Sequence, residues 1–251
     1  MSQALRGWVI PVGLLLFWEI GSRIGWLPMD STSRPSLVAV AAAQGLADGS
    51  ILLATWQTLE AALLGFAIAT LIGVSLGVLL GLFPRLESTV GPSVDALRPI
   101  PSVALIPLAL LLFGFGLRLE SSVVAFASLW PILLLTIAAV RGIEPRLLEV
   151  ARTLGFSPLA RLQKIILPAA LARIIVGLRV SLAISLVVAV TVEIVINPRG
   201  LGHTIMSAQQ SLRSDIMYAQ LFWLGLVGWG INSATRWAVS SWPGAVEVRE
   251  P

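Results

Sequence analysis

The main polar stretch of this chain, Glu144–Arg173, combines a cluster of basic side chains with two predicted short amphipathic helices. Helices of this length cannot cross a bilayer. We therefore expect them to lie at its surface or to dock on a protein through apolar and charged contacts.

Residue types that carry catalysis or bind metals are scarce. The chain has no cysteine and one histidine, His203, so we expect no thiolate site, no histidine-based metal cluster and no histidine-dependent triad. Its lysine, Lys164, follows Gln163 instead of glycine, so the chain lacks a phosphate-binding P-loop. We predict no metal site and no bound cofactor.

Two helices with defined ends are predicted within the polar stretch. Pro145 suits the first turn of the first helix, and Gly155 ends that helix. Ser157 and Pro158 form an N-cap and first-turn pair that opens the second helix. The pair Leu167-Pro168 is predicted to end it.

The composition is typical of a polytopic membrane protein. Hydrophobic residues make up 57% of the 251 residues, and charged residues only 12%. The net charge of +4 is spread among the loops between apolar segments. This distribution indicates membrane topology and not nucleic-acid binding.

Six apolar segments predict an all-α membrane protein in which residues 1–251 form one domain. A small-x-small cleavage site is missing after the first segment, which favours a span over a signal peptide. Residues 28–50 and 197–215 are predicted to be loops with short helices that do not span. The predicted spans are residues 7–27, 61–83, 99–117, 121–140, 174–196 and 216–239, and the polar loop is 141–173.

The second predicted span carries small residues at every fourth position, which lets another helix approach closely. Static packing and a sliding helix contact are both compatible with this row. The row consists of Ala61, Gly65, Ala69, Gly73, Gly77 and Gly81.

Four residues are candidates for lining a transport pathway: Ser102, Pro107, Thr191 and Glu193. A proline inside a span frees a backbone carbonyl, so Pro107 either lines a wet pathway or makes a structural kink. A charge in a span costs about 2.5–3.5 kcal/mol at the bilayer centre, so Glu193 is expected to face a cavity, a partner or the headgroups. It is therefore either a pathway residue or a hydrogen-bonded interfacial carboxylate. Arg179, near the basic end of its span, can snorkel.

The basic residues predict cytoplasmic N- and C-termini. With that orientation, 12 of the 17 lysine and arginine residues lie on the inner side, including those of Glu144–Arg173. No internal repeat is visible, which weighs against inverted-repeat secondary transporters. A chain without a repeat can still form a symmetric pathway as a homodimer.

The polar stretch resembles the signature loop of permease subunits of binding-protein-dependent ABC importers. The family pattern of E-A-A, a later glycine and I-x-L-P stands here as Glu149-Val150-Ala151, Gly155 and Ile165–Pro168. Further segments are similar to the nitrate, taurine and aliphatic-sulfonate branch, namely RPIP at 98–101, GIEPRLLE at 142–149 and GLG at 200–202. That branch is expected to carry an aromatic residue at the position of His203 and often a basic one at the position of Glu60.

The resemblance implies a type I importer fold in a bacterial cytoplasmic membrane. It implies a homodimer of permeases, two cytoplasmic ATPases that use ATP and Mg, and an extracytoplasmic solute-binding protein. A small organic or inorganic anion is the implied solute. The loop from Glu149 to Pro168 is then implied to couple the pathway to the ATPases, with the coupling residues Glu149, Ala151, Arg152, Gly155, Ser157, Leu167 and Pro168.

Other functions are weighed against this one. An ion-coupled carrier or channel would use Glu193 to carry a proton, but it leaves the amphipathic helix pair unexplained. An intramembrane enzyme would need more than the single His203. An exporter or a structural membrane subunit would not be accompanied by a solute-binding protein.

Overall fold

A computed structural model describes residues 3–26 and 32–241, and all regular structure in this part of the chain is helical. Three positions lie outside the described residues: residue 27 of the first predicted span, Trp242 and Arg249. A 3-10 turn, Ser102–Leu105, and a π-helical turn, Leu162–Ile166, accompany the helices. The helices are α1 Gln3–Ile24, α2 Pro35–Ala47, α3 Ser50–Leu82, α4 Pro84–Leu97, α5 Ile106–Phe113, α6 Leu117–Arg141, α7 Pro145–Thr153, α8 Pro158–Arg161, α9 Leu167–Val195, α10 Gly200–Gln210 and α11 Ser214–Ser240.

Three helical segments of the described chain are long and apolar enough to cross a membrane. They are α3, α6 and the continuous segment Pro158–Val195, and the bent pair formed by α4 with Ser102–Phe113 could serve as a fourth span. Helices α1 and α11, with 22 and 27 residues, also have sufficient length. The count of six spans therefore stays a prediction.

The kink that is one of the two alternatives for Pro107 is wrong, whereas the third predicted span, 99–117, stays a prediction and is helical from Ser102 to Phe113. The chain bends by 85° between α4 and the segment Ser102–Phe113, because Pro99 and Pro101 cannot donate the hydrogen bonds that would continue α4. Pro107 lies in the first turn of α5, where a missing N–H costs nothing, so it opens a helix and does not kink one.

The predicted helix end at Leu167-Pro168 is also wrong. The helix that begins at Pro158 runs on to Val195 through the π-helical turn Leu162–Ile166. A proline ring clashes with the carbonyl four residues earlier in a regular α-helix. The π-turn immediately before Pro168 widens the helix there, so the chain continues through the proline.

Contacts divide the chain into two compact units, each considered by itself. One contains the described parts of Met1–Thr58 and Glu193–Val227, and the other those of Leu59–Val192 and Gly228–Pro251. In the first unit, Val38, Ala41 and Ala219 form a small core beside the rings of Trp18 and Tyr218, which meet edge to face with their centres 5.3 Å apart.

In the second unit, α3 and α6 pack through the row of small residues. A Cβ added at Gly65 would lie 2.6 Å from the Val124 side chain, and one at Gly77 would lie 2.5 Å from the Cβ of Thr136. An added Cβ would lie 2.9 Å from the Ile132 side chain at Gly73 and 2.7 Å from the Val140 side chain at Gly81. The helix backbones therefore approach as closely as glycine allows, which is the main source of helix affinity in lipid.

Helices α6 and α9 are joined by two buried serines. The Ser181 hydroxyl donates to the Ser128 carbonyl at 2.8 Å, and the Ser128 hydroxyl donates to the Ser181 carbonyl at 3.3 Å. Both serines are fully buried, so the exchange satisfies polar groups that have no access to water.

Candidate functional site

Helix α7 is held to its own unit by one face. Ala151 is 0% exposed, and Leu148 packs on a core formed by residues of α6, α9 and their connections, including Val140, Ile143 and Ile166. Ala151, predicted as a coupling residue, therefore packs α7 against the core of its own unit, and its side chain is not exposed.

The end of α7 is a Schellman motif centred on Gly155. The Phe156 N–H donates to the Ala151 carbonyl and the Gly155 N–H donates to the Arg152 carbonyl, each at 3.0 Å. Gly155 has φ +68°, a left-handed conformation that glycine adopts without strain. No atom of the described chain lies within 4 Å of a Cβ added there, so the constraint is backbone conformation and not space within the chain.

The second short helix begins as the sequence predicts. The Ser157 hydroxyl accepts a hydrogen bond from the Ala160 N–H at 3.2 Å, and Pro158 occupies the first turn. The Lys164 ammonium lies 5.6 Å from the centre of the Phe156 ring, a cation–π contact across the turn. Together these contacts give the turn a defined shape.

The opposite side of this turn is an exposed apolar and charged surface. Val150 is 55% exposed and Leu154 64% exposed, and Leu147 and Leu159 are similarly uncovered. Glu149 and Arg152 are exposed and form no hydrogen bond or ion pair through their side chains with the described residues. We call this set the docking surface: Leu147, Glu149, Val150, Arg152, Leu154 and Leu159.

Sequence reasoning predicted Glu149 and Arg152 but missed the apolar members of the docking surface. Helical spacing identifies an apolar stripe without showing which half of it is covered by the chain's own core. Val150, which stands where the family pattern has alanine, lies on the uncovered side. Its larger side chain is therefore exposed at the surface and does not contribute to the packing within the described chain.

The remaining predicted coupling residues, Leu167 and Pro168, are the first residues of α9, where Leu167 is half-buried and Pro168 exposed. Of the pathway candidates, Ser102 is half-buried in the 3-10 turn and Pro107 is exposed at the start of α5. The Thr191 hydroxyl donates to the Val187 carbonyl at 2.7 Å within α9.

Glu193 is 1% exposed and binds the start of α10, where its carboxylate accepts a hydrogen bond from the Gly202 N–H at 2.7 Å. The two preceding N–H groups, of Gly200 and Leu201, donate to the side chains of Gln57 and Thr58, each at 2.9 Å. Side chains from α3 and α9 thus cap three N–H groups of one helix, and the negative charge of Glu193 suits the helix dipole.

Sequence reasoning missed Gln57 and Thr58, because they lie 143 residues from the N–H groups they bind. The only local signal was the Gly200-Leu201-Gly202 motif. Gly200 has φ +89°, and a Cβ added there would overlap the Glu193 carboxylate. This overlap explains the glycine at position 200.

Gly200→Ala should lower the free energy of unfolding by about 2–4 kcal/mol, combining left-handed strain with displacement of the Glu193 cap. Thermal unfolding of the detergent-purified protein measures this loss. Gly225→Ala is the matched control, since Gly225 lies within α11 and no other part of the described chain comes within 4 Å of an added Cβ there. Equal effects of the two substitutions would contradict the capping role of Glu193.

Long apolar helices joined by a pair of short amphipathic helices define a polytopic α-helical membrane protein. The chain belongs to the family of binding-protein-dependent transport system inner membrane components, whose model matches residues 51–240. It is a permease subunit of an ABC importer, a transport subunit without an ATPase site of its own.

Relatives extend over most of the chain. The aliphatic sulfonates transport permease protein SsuC of Bacillus subtilis is 29% identical over 232 residues, which cover 92% of this chain and 84% of the relative. The bicarbonate transport system permease protein CmpB of Synechococcus elongatus is 32% identical over 249 residues, covering 94% and 89%. Other relatives are named for transport of taurine in Escherichia coli and riboflavin in Chloroflexus aurantiacus.

A solved structure shares the fold. A chain of the MetNI methionine ABC transporter, in an inward facing conformation, matches with a TM-score of 0.67 at 22% sequence identity. The match covers 76% of this chain and 95% of that chain. The permease fold predicted for this chain is thereby confirmed.

Proposed function

We propose that this permease forms the pathway for a small organic or inorganic anion and couples it to ATPase subunits through the loop from Glu149 to Pro168. The docking surface is the observation that carries the proposal. Exposed leucine and valine side chains beside unpaired charges, on a turn fixed by a Schellman motif and an N-cap, suit recognition by a protein.

The proposed assembly contains two copies of this permease, two cytoplasmic ATPases and an extracytoplasmic solute-binding protein. It lies in the cytoplasmic membrane with both termini of the permease inside, as the distribution of basic residues predicts. ATP and Mg are used by the ATPases, and this chain holds no cofactor. The relatives named for transport of sulfonates, taurine and bicarbonate support a solute with an anionic group. One relative is named for transport of riboflavin, which is a larger molecule.

The rigid turn between α7 and α8 would couple movement of the ATPase to movement of helix α9. Ala151 and Leu148 tie α7 to the core below, and the helix from Pro158 continues into the membrane as α9 without interruption. Movement of a bound ATPase would therefore shift α9 as a rigid body. ATP binding would bias the permease between two states through this movement.

Leu154→Glu should reduce capture of the ATPase subunits by the tagged permease about tenfold, the effect of losing one strong apolar contact. Co-purification from membranes that express the whole transporter measures it. Leu212→Glu is the matched control, because Leu212 is 77% exposed and lies between α10 and α11, away from the docking surface in sequence. Equal capture by the two variants would contradict docking at Leu154.

An ion-coupled carrier that uses Glu193 is not favoured, because the chain belongs to an ATP-driven importer family. Glu193→Gln keeps an oxygen acceptor for the Gly202 N–H but loses its charge. If Glu193 only holds the start of α10, this variant should have lower thermal stability but an unchanged KM and rate of uptake in proteoliposomes. A changed KM would instead indicate that Glu193 lines the pathway, together with the candidates Ser102, Pro107 and Thr191.

A further inference from the structure

A cavity of about 180 Å³ lies between α9 and α11 within one compact unit. The two helices come close beside it, since a Cβ added at Gly228 would lie 3.6 Å from the Leu186 side chain. The lining is apolar apart from three residues, Arg179, Asn232 and Thr235. The full lining is Arg179, Leu182, Ala183, Leu186, Val187, Gly228, Ile231, Asn232 and Thr235.

Arg179 has no counter-charge in the part of the chain that the structure describes. Within the described residues its guanidinium forms no ion pair or hydrogen bond, although α9 belongs to a membrane-spanning helical segment. An arginine in such a segment is costly and marks a functional site by default. The guanidinium offers a planar fork of donors, which matches the oxygens of a sulfonate or carboxylate.

Of the two other polar residues that line the cavity, Asn232 complements an anion. The Asn232 amide has no hydrogen-bond partner among the described residues and can donate. Thr235 cannot, because its hydroxyl proton goes to the Ile231 carbonyl at 2.7 Å. Leucine and isoleucine side chains provide contacts for a short alkyl group. The volume is below the roughly 300–1,000 Å³ of pockets for drug-sized ligands, so a small solute fits.

We propose that Arg179 and Asn232 bind the oxyanion group of the transported solute, a small organic anion with a short apolar part. The proposal rests on the proposed function and narrows it to a site within one subunit. Arg179 supplies the charge, Asn232 a second donor, and the apolar lining selects against strongly hydrated ions.

The absence of cysteine from the chain provides a direct assay. Ala183 is exposed, lines the cavity and lies one helical turn after Arg179, so Ala183→Cys places a single thiol there. The purified permease in nanodiscs of zwitterionic lipid is treated with anionic sulfonatoethyl or cationic trimethylammonioethyl methanethiosulfonate. The measured quantity is the ratio of the two modification rates.

The ratio of anionic to cationic modification at position 183 should exceed that of the exposed reference Gln210→Cys about tenfold, the scale expected for one charge acting over several ångströms. Arg179→Gln should remove this excess, and Arg179→Lys should retain it. Excess ethanesulfonate should slow modification at position 183, whereas ethyl methyl sulfone, its neutral analogue, should not. Asn232→Leu should weaken that protection.

Three outcomes would overturn the proposal. They are an unchanged ratio in Arg179→Gln, no modification by either reagent, and protection by ethanesulfonate that disappears when anionic phospholipid is added to the nanodiscs. The last would assign Arg179 to a lipid headgroup. The thiol-modification assay contains neither ATPase nor solute-binding protein, so a negative result there does not contradict the proposed importer function. Conversely, failure of the ATPase-capture experiment would not change the result of the thiol-modification assay.

Discussion

A permease that carries tryptophan at Gly155 should fold and insert, yet lose more than nine-tenths of its uptake and of its substrate-stimulated ATP hydrolysis. The left-handed backbone at this position costs a non-glycine residue roughly 1–2 kcal/mol, which a whole protein tolerates. The described chain leaves open space around an added Cβ. The indole therefore projects from the turn beside the docking surface, where it displaces a partner.

Uptake and ATP hydrolysis in proteoliposomes that contain the complete transporter measure this prediction. Gly155→Asn is the matched control, since asparagine adopts the left-handed conformation more readily than other residues and adds little bulk. It should retain most activity, and Gly155→Leu should resemble tryptophan. Full uptake by the tryptophan variant would exclude a coupling role for this turn.

A second substitution, Gly77→Val, should abolish stable folding. An added Cβ at this position lies 2.5 Å from the Thr136 Cβ and 3.0 Å from the Leu133 carbonyl oxygen. The second contact is with backbone, so no rotamer change relieves it, and α3 and α6 must separate. Overpacking costs typically 1–3 kcal/mol where side chains can adjust, and we expect more than about 3 kcal/mol here.

The yield of monodisperse protein and its midpoint of thermal unfolding in detergent report the effect of Gly77→Val. Gly91→Val is the control, because Gly91 lies within α4 and an added Cβ there meets nothing within 4 Å elsewhere among the described residues. A Gly77 variant as stable as the Gly91 variant would contradict close packing of α3 on α6.

The milder Gly77→Ala distinguishes static packing from a sliding contact. Loss of stability and uptake in parallel indicates that α3 and α6 form a fixed pair. Loss of uptake at unchanged stability indicates that the two helices move against each other during transport. Measuring both quantities on the same preparation decides between them.

Local chemistry made much of this protein predictable. An apolar composition and long uncharged segments indicate a membrane protein, because a bilayer excludes unpaired polar groups. The glycine at position 155 and the serine at 157 act through neighbours in the same turn, and the repeat of small residues in α3 marks one surface of that helix. Their effects on helix ends and helix surfaces are therefore visible in the sequence.

The prolines show where local rules fail. Pro168 is predicted to end a helix, but a π-turn carries the helix through it. Pro107 is predicted either to line a pathway or to kink a span, but it opens a short helix. Proline only forbids certain hydrogen bonds. Tertiary packing decides whether the chain stops, bends or widens to avoid them.

The sequence by itself determined the class of this protein, the position of its polar loop, and the glycines that end helix α7 and form the row of small residues in α3. The tertiary structure alone decided which side chains of that loop are covered, since Ala151 is buried while its neighbour Val150 is exposed. It also brought Gln57 and Thr58 to the start of α10, and Asn232 to the same cavity as Arg179. These pairs are separated by 53 to 143 residues, and only the packing of helices against one another brings such distant positions together.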